Sequence, residues 1–211
     1  MVGKLIVFEG LDGSGGETQT NNLISYLRSK GKEVMWITYP DYGPDKKNPS
    51  KAIGKLIYDW LHKRTEDFDE KVQFLLYTTD MVKDIKRIQE ALNSGKFVVA
   101  DRYVTSTMAF QGLKGFPLDK ALKYADLFGL IKPDVVIYLD ISVDTSLQRK
   151  MKEKDGNLDR HEEDREFLDR LTRFYKNLIK DNVFGKWISV DAEKPKEEIF
   201  NEIKDIVEKH L

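Results

Sequence analysis

The chain has 211 residues, 40% hydrophobic and 34% charged, with a formal net charge of -1. That length suits a single α/β domain, or a core with a small insertion. A near-neutral chain has no basic field to attract nucleic acid, so none is expected as a partner; the absence of cysteine excludes disulfides and cysteine–zinc sites and fits a reducing cytoplasm.

The first predicted strand, 4–9, contains Lys4-Leu5-Ile6-Val7-Phe8. This run is too short for a signal peptide or a membrane span, so a soluble cytoplasmic protein without a membrane partner is expected. The strand runs into Gly10-Leu11-Asp12-Gly13-Ser14-Gly15-Gly16-Glu17-Thr18-Gln19, and a helix is predicted over 17–30. A glycine-rich turn between a first strand and a first helix is where a phosphate-binding P-loop belongs. Its amides curl around an anion, and the helix adds the positive end of its dipole. A plain tight turn is the alternative reading of the glycines. The pattern G-x-x-x-x-G-K-[ST] is met at Gly10 and Gly15 and then fails, with Gly16 in place of lysine and Glu17 in place of the hydroxyl residue. One positive charge is lost and one negative charge gained where transfer depends on electrostatic stabilisation. Glu17 can itself hold magnesium, and Thr18 still offers a hydroxyl and an N–H to a phosphate oxygen.

Next come a strand at 33–38 and helices at 50–63 and 69–94. A strand at 97–101 ends in Asp101-Arg102-Tyr103 and leads into Val104-Thr105-Ser106-Thr107-Met108-Ala109-Phe110-Gln111. Asp101 and Arg102 thus sit at the carboxyl end of a strand, where open α/β sheets bind ligands; a strand-end ion pair is the bland alternative. A helix at 119–129, a strand at 134–140 and a helix at 143–153 follow. The stretch 150–166 is nearly all polar and reads either as a solvated loop or as a small lid over phosphates. A helix at 162–182, a strand at 187–190 and a helix at 195–210 complete the chain. Strands alternating with helices predict an α/β fold of the P-loop NTPase type, with a parallel five-stranded sheet flanked by helices and a lid within one domain, 1–211. His62, His161 and His210 have no metal-ligand spacing and read as surface residues. Trp36, Trp60 and Trp187 read as core or interface packing.

The chain resembles the thymidylate kinase family along essentially its whole length. The resemblance is carried in order by Phe8-Glu9-Gly10-Leu11-Asp12-Gly13, Tyr39-Pro40-Asp41-Tyr42-Gly43, the Asp101-Arg102-Tyr103 segment with its following Ser-x-x-Ala-aromatic, Lys132-Pro133-Asp134, Leu158-Asp159-Arg160 and Val190-Asp191-Ala192. It implies ATP as donor, magnesium, dTMP as acceptor and a homodimer. It also implies residue roles. Asp12 would hold the acceptor 3′-hydroxyl, and Tyr42 and Gln111 would belong to the acceptor site. Tyr77 would stack on the base, with core packing as its alternative. Arg102 would hold the acceptor phosphate, with Asp101 near magnesium. Thr107 would reach the base edge, and Phe110 would crowd C2′ and favour deoxyribose. Arg149, Lys150, Lys152, Lys154 and Arg160 would form a basic lid that supplies the catalytic cation.

Four positions depart from the family. Besides Gly16 and Glu17, Asp41 stands where arginine or glutamate is frequent, and Met81 stands where an arginine usually bonds thymine O4. Met81 lies four residues beyond Tyr77, so both are expected to face the base. Two readings from different classes remain. One is a kinase making dTDP and ADP, with another monophosphate as a variant acceptor. The other is a nucleotide-binding homologue with weak or no kinase activity.

Overall fold

The computed structural model describes residues 3–63, 67–153, 161 and 164–210. Five strands, β1 (Leu5–Gly10), β2 (Val34–Thr38), β3 (Phe97–Asp101), β4 (Val135–Asp140) and β5 (Trp187–Asp191), form one sheet in the order β2-β3-β1-β4-β5. Every pairing is parallel. A strand buried on both faces needs an unbroken apolar run. β1 has that composition over Leu5–Phe8 and β4 over Val135–Leu139, and all six residues of β1 are buried. The outer strands are only partly covered, and Trp36 on β2 is exposed.

The helices are α1 (Gly16–Ser29), α2 (Ala52–Tyr58), α3 (Glu70–Val82), α4 (Ile85–Asn93), α5 (Val104–Leu113), α6 (Leu118–Leu127), α7 (Val143–Glu153), α8 (Arg165–Lys180) and α9 (Lys196–His210). They flank the sheet in groups, with α1 packed on α9, and α5 on α3, α6 and α8. No helix among the described residues is long and apolar enough to cross a membrane.

The predicted strands all form, within a residue or so of their expected ends. The helices differ in three places. The segment 69–94 is two helices, because the chain turns at Lys83 and Asp84. There Lys83 Nζ bonds the Asp80 carbonyl at 2.7 Å and the Asp84 carboxylate at 2.9 Å, and Tyr39 donates to Asp84 at 3.1 Å. The segment 50–63 starts as α2 and ends in a π-helical turn, Asp59–Lys63. Finally, α5 is a helix that the periodicity does not announce. Residues 104–109 are all buried, so α5 has no polar face at its start, and its β-branched and hydroxyl residues are weak helix formers.

Parallel pairing aligns the carboxyl ends of the strands. Phe8 lies beside Asp101 and Gly10 beside Leu139 in register, and Thr38 lies beside Asp101. β1 lies between β3 and β4, so its carboxyl end opens where the chain's connections diverge, which is the usual ligand crevice of such sheets. One close approach frames this crevice. A Cβ on Gly54 of α2 would lie 2.0 Å from the Asp41 carbonyl oxygen and 3.1 Å from Tyr42 Cα, so only glycine lets α2 lie against the backbone that carries Tyr42. Gly54→Ala is expected to push that segment away and lower stability by about 1–3 kcal/mol, the usual effect of overpacking. Urea denaturation of the two proteins measures it, and an unchanged midpoint would show that α2 shifts freely.

Candidate active site

The turn after β1 curls as a phosphate loop should. Gly15 holds a left-handed φ of 94° as the residue preceding α1, and no side chain caps that helix. By contrast Asp69 caps α3 and Asp164 caps α8. The first N–H groups of a helix have no partner within it, so the amino end of α1 is available to an anion. The loop is braced from α7: Ser146 Oγ donates to the Asp12 carbonyl at 2.7 Å, and Arg149 donates to the carbonyls of Gly13 at 3.0 Å and Ala192 at 3.3 Å.

Arg102 stands beside the loop at the end of β3. Its φ of 64° is the left-handed conformation, which strains a non-glycine residue by roughly 1–3 kcal/mol. Its N–H donates to Phe8 O at 3.0 Å, and its guanidinium donates to Asp12 Oδ1 at 2.7 Å and to Ser106 Oγ at 3.2 Å. Beneath it lies Glu9, only 2% exposed. The Glu9 carboxylate accepts from Tyr103 N at 3.2 Å, Thr105 Oγ1 at 2.6 Å and Tyr175 OH at 3.1 Å, and also from Ser106 Oγ. Burial pushes the Glu9 carboxyl up, while the Arg102 charge and the hydroxyl donors oppose that shift. Burial also raises Asp101, opposed by Arg102 and Lys46.

The predicted acceptor-site aromatics pack against other rings. Tyr77 meets Trp60 edge to face at 6.5 Å. Phe110 lies under the Arg102 guanidinium at 5.9 Å and beside Phe167 at 6.0 Å and His161 at 5.4 Å. Tyr42 packs edge to face on Tyr58 at 5.5 Å. Thr107 and Gln111 are buried on α5, and Gln111 Oε1 has no partner among the described residues.

A family description for thymidylate kinase matches residues 8–203. The chain belongs to the thymidylate kinase family. It is 34% identical over 212 residues to the thymidylate kinase of Thermosipho africanus, covering 98% of each chain. It is 33% identical over 209 residues to the human thymidylate kinase, covering 98% of this chain and 90% of the human one. The probable thymidylate kinase of Methanococcus aeolicus is 33% identical over 215 residues, covering 99% and 98%. The reading as a nucleotide-binding homologue without kinase activity finds no support in these relatives.

Within this kinase fold, Arg102 meets Asp12 of the loop 10–18, and Asp101 faces Gly16. Phe110 and Tyr77 are both half-buried; Phe110 approaches His161, Tyr77 approaches Trp60, and those two rings meet each other. Two expectations change. Met81 is 1% exposed and belongs to the apolar core. Being buried, it offers no surface beside Tyr77, which is half-buried on the same helix. His161 is not a surface residue; it stacks on Phe167 at 5.2 Å and approaches Trp60 at 5.8 Å. His62 is exposed, and the side chain of His210 lies outside the described residues. Trp60 is fully buried, as a packing residue should be, and meets Tyr77 and His161. Of the lid residues, Lys154 and Arg160 lie outside the described residues. Arg149 braces backbone carbonyls, and Lys150 pairs with Glu153 at 2.8 Å.

Glu9, Lys46 and Lys83 are not singled out by the sequence. Glu9 sat in plain view in Phe8-Glu9-Gly10, where a carboxylate inside an apolar strand was the available signal. Lys83 lies 3.4 Å from Asp41 Oδ2, so a cation does stand near the position where the family often has arginine. Removing one partner of a buried charged network costs about 3–5 kcal/mol. Glu9→Ala is expected to lose that much in chemical denaturation and to release Arg102. A loss below about 1 kcal/mol would show that Glu9 is not what holds the arginine.

Proposed function

We propose that the protein transfers the γ-phosphoryl group of ATP to dTMP, giving ADP and dTDP. The observation that carries this reading is Arg102, fixed between Asp12 and the Glu9 network beside an uncapped phosphate loop and above the ring of Phe110.

Two anions must be brought together, so the task is positioning and charge neutralisation. The amides of Gly10 to Thr18, including those of Leu11, Gly13, Ser14, Gly15, Gly16 and Glu17, would cradle the donor phosphates. Arg102 would turn from Asp12 to the acceptor phosphate and present it in line. Asp12 would then accept the 3′-hydroxyl of the sugar. Tyr77 would stack on the base, Thr107 and Gln111 would reach its edge, and Tyr42 would close the phosphate side. Phe110 would leave no room for a 2′-hydroxyl. Arg149 would hold the loop and the segment at Ala192 in one arrangement while the nucleotide binds. Lys150 and Arg160 would belong to a lid at about 150–166.

The residues fit magnesium arriving with ATP. That ion takes one or two carboxylates together with phosphate oxygens. Asp101 faces the start of α1, since a Cβ on Gly16 would lie 3.0 Å from its Oδ1, and Glu17 is close enough to raise the Asp101 carboxyl further. Bound there, magnesium would neutralise charge on the transferred group. We also read a cytoplasmic homodimer. Leu56 on α2 and Val72 and Leu75 on α3 are exposed apolar residues on helices that pack together, the kind of surface a partner covers.

The direct test is coupled detection of ADP with dTMP, dUMP, dCMP and dGMP. Activity is expected to be highest with dTMP. In the same assay Phe110→Ala should narrow the preference for deoxyribose over ribose by roughly 10-fold, since steric pockets discriminate by about that much per group. A variant that keeps the full preference would remove Phe110 from the sugar site. No ADP above background with any monophosphate would sink the kinase reading.

A further inference from the structure

The phosphate loop lacks a lysine, and its neighbourhood is acidic. Asp12 and Glu17 belong to the loop and Asp101 faces it, while Arg102 is engaged with Asp12 and Ser106. Arg149 is engaged with two backbone carbonyls. From the segment between β2 and α2, Lys46 crosses to the loop and sets its Nζ 2.7 Å from Glu17 Oε2. Glu17 directly follows Gly16, where the missing side chain would begin. Asp101 Oδ1 lies 3.0 Å from the Cβ that position 16 would carry. Lys46 thus pairs with the carboxylate directly after position 16, the position that Asp101 also faces.

We propose that Lys46 is the cation that meets the β- and γ-phosphates of ATP in place of a lysine at position 16, an inference that rests on the kinase reading above. The pair with Glu17 is exposed, with side-chain exposures of 47% and 62%, and exposed pairs are weak. A triphosphate carries more charge than one carboxylate and displaces it. A lysine on a flexible four-carbon stem can swing from one to the other. Glu17 then serves to keep the ammonium at the loop until the nucleotide arrives. In the transfer step an oxygen of the acceptor phosphate bonds to Pγ. The bond from Pγ to the β–γ bridging oxygen breaks, and its electron pair leaves on the β-phosphate of ADP. Lys46 faces the charge that develops there, so its effect is larger in the transition state than in the ground state.

The test uses the full chain and four variants: Lys46→Ala, Lys46→Arg, Gly16→Lys with Lys46→Ala, and Gly16→Ala with Lys46→Ala. Loss of one well-placed donor or cation lowers turnover by about 100-fold. Lys46→Ala should do so with the KM for dTMP unchanged, while Lys46→Arg keeps most of the rate. Gly16→Lys should restore the Lys46→Ala protein by about 10-fold or more. Gly16→Ala controls for crowding against Asp101 and should restore nothing. Calorimetric titration gives a second readout: Lys46→Ala should weaken ATP and leave AMP, which lacks the outer phosphates, unaffected. Turnover within about two-fold of the parent would overturn the proposal, as would a rise in the KM for dTMP alone. If the parent itself makes no ADP, the kinase reading fails separately, and the titrations decide. A selective loss of ATP still supports Lys46 as the phosphate contact, and equal effects on ATP and AMP overturn it.

Discussion

Glu9 carries a carboxylate from the end of β1 into a buried space bounded by α5 and α8, and the geometry above it follows from the donors it gathers. Tyr103 N, Thr105, Ser106 and Tyr175 all point at its two oxygens. Three of them belong to the segment that leaves β3, so the carboxylate ties β1 to the first turn of α5 and brings α8 to the same point. Arg102 is the residue that this tie displaces. With Tyr103 and Ser106 held from below, Arg102 takes a left-handed backbone and turns its guanidinium up towards Asp12. A buried carboxylate is stable only with its oxygens satisfied, and satisfying them sets the position of the arginine.

The charges around the loop are spread over several elements. The P-loop provides amides and acidic side chains. Cations reach it from β3 as Arg102, from α7 as Arg149 and from the β2–α2 segment as Lys46. Lys83 stands one step away, held by Asp80 and Asp84 and facing Asp41. A Coulomb field depends on where the charges lie and not on which segment carries them. A site can therefore lose a cation at one backbone position and keep a similar field, provided that another element delivers one there.

Much of the architecture could be read from the chain. The five strands are short apolar runs separated by helix-length segments, and the ligand end of the sheet is marked by glycines after β1 and by Asp101-Arg102 after β3. The helices were less legible where packing decides. α5 is buried from Val104 to Ala109 and carries no amphipathic stripe, so only its neighbours α3 and α8 make it a helix worth forming. The break at Lys83 and Asp84 depends on Tyr39, more than forty residues earlier, drawing on the same carboxylate. Met81 and His161 were misplaced for the same reason. Spacing along a helix says which residues share a face, and polarity says which residues water tolerates, but neither says which rings stand opposite.

The sequence by itself determined the alternation of strands and helices, the phosphate loop and its missing lysine, and the acid–base pair at the end of β3. These are local: each depends on residues within one turn or one strand, where propensity, periodicity and the stereochemistry of glycine act. Only the tertiary structure decided that Glu9 lies under Arg102, that His161 meets both Phe110 and Trp60, and that Lys46 reaches Glu17 across 29 positions of chain. Contacts of that kind depend on the crossovers of the sheet and on the satisfaction of buried charge, and both are properties of the packed chain.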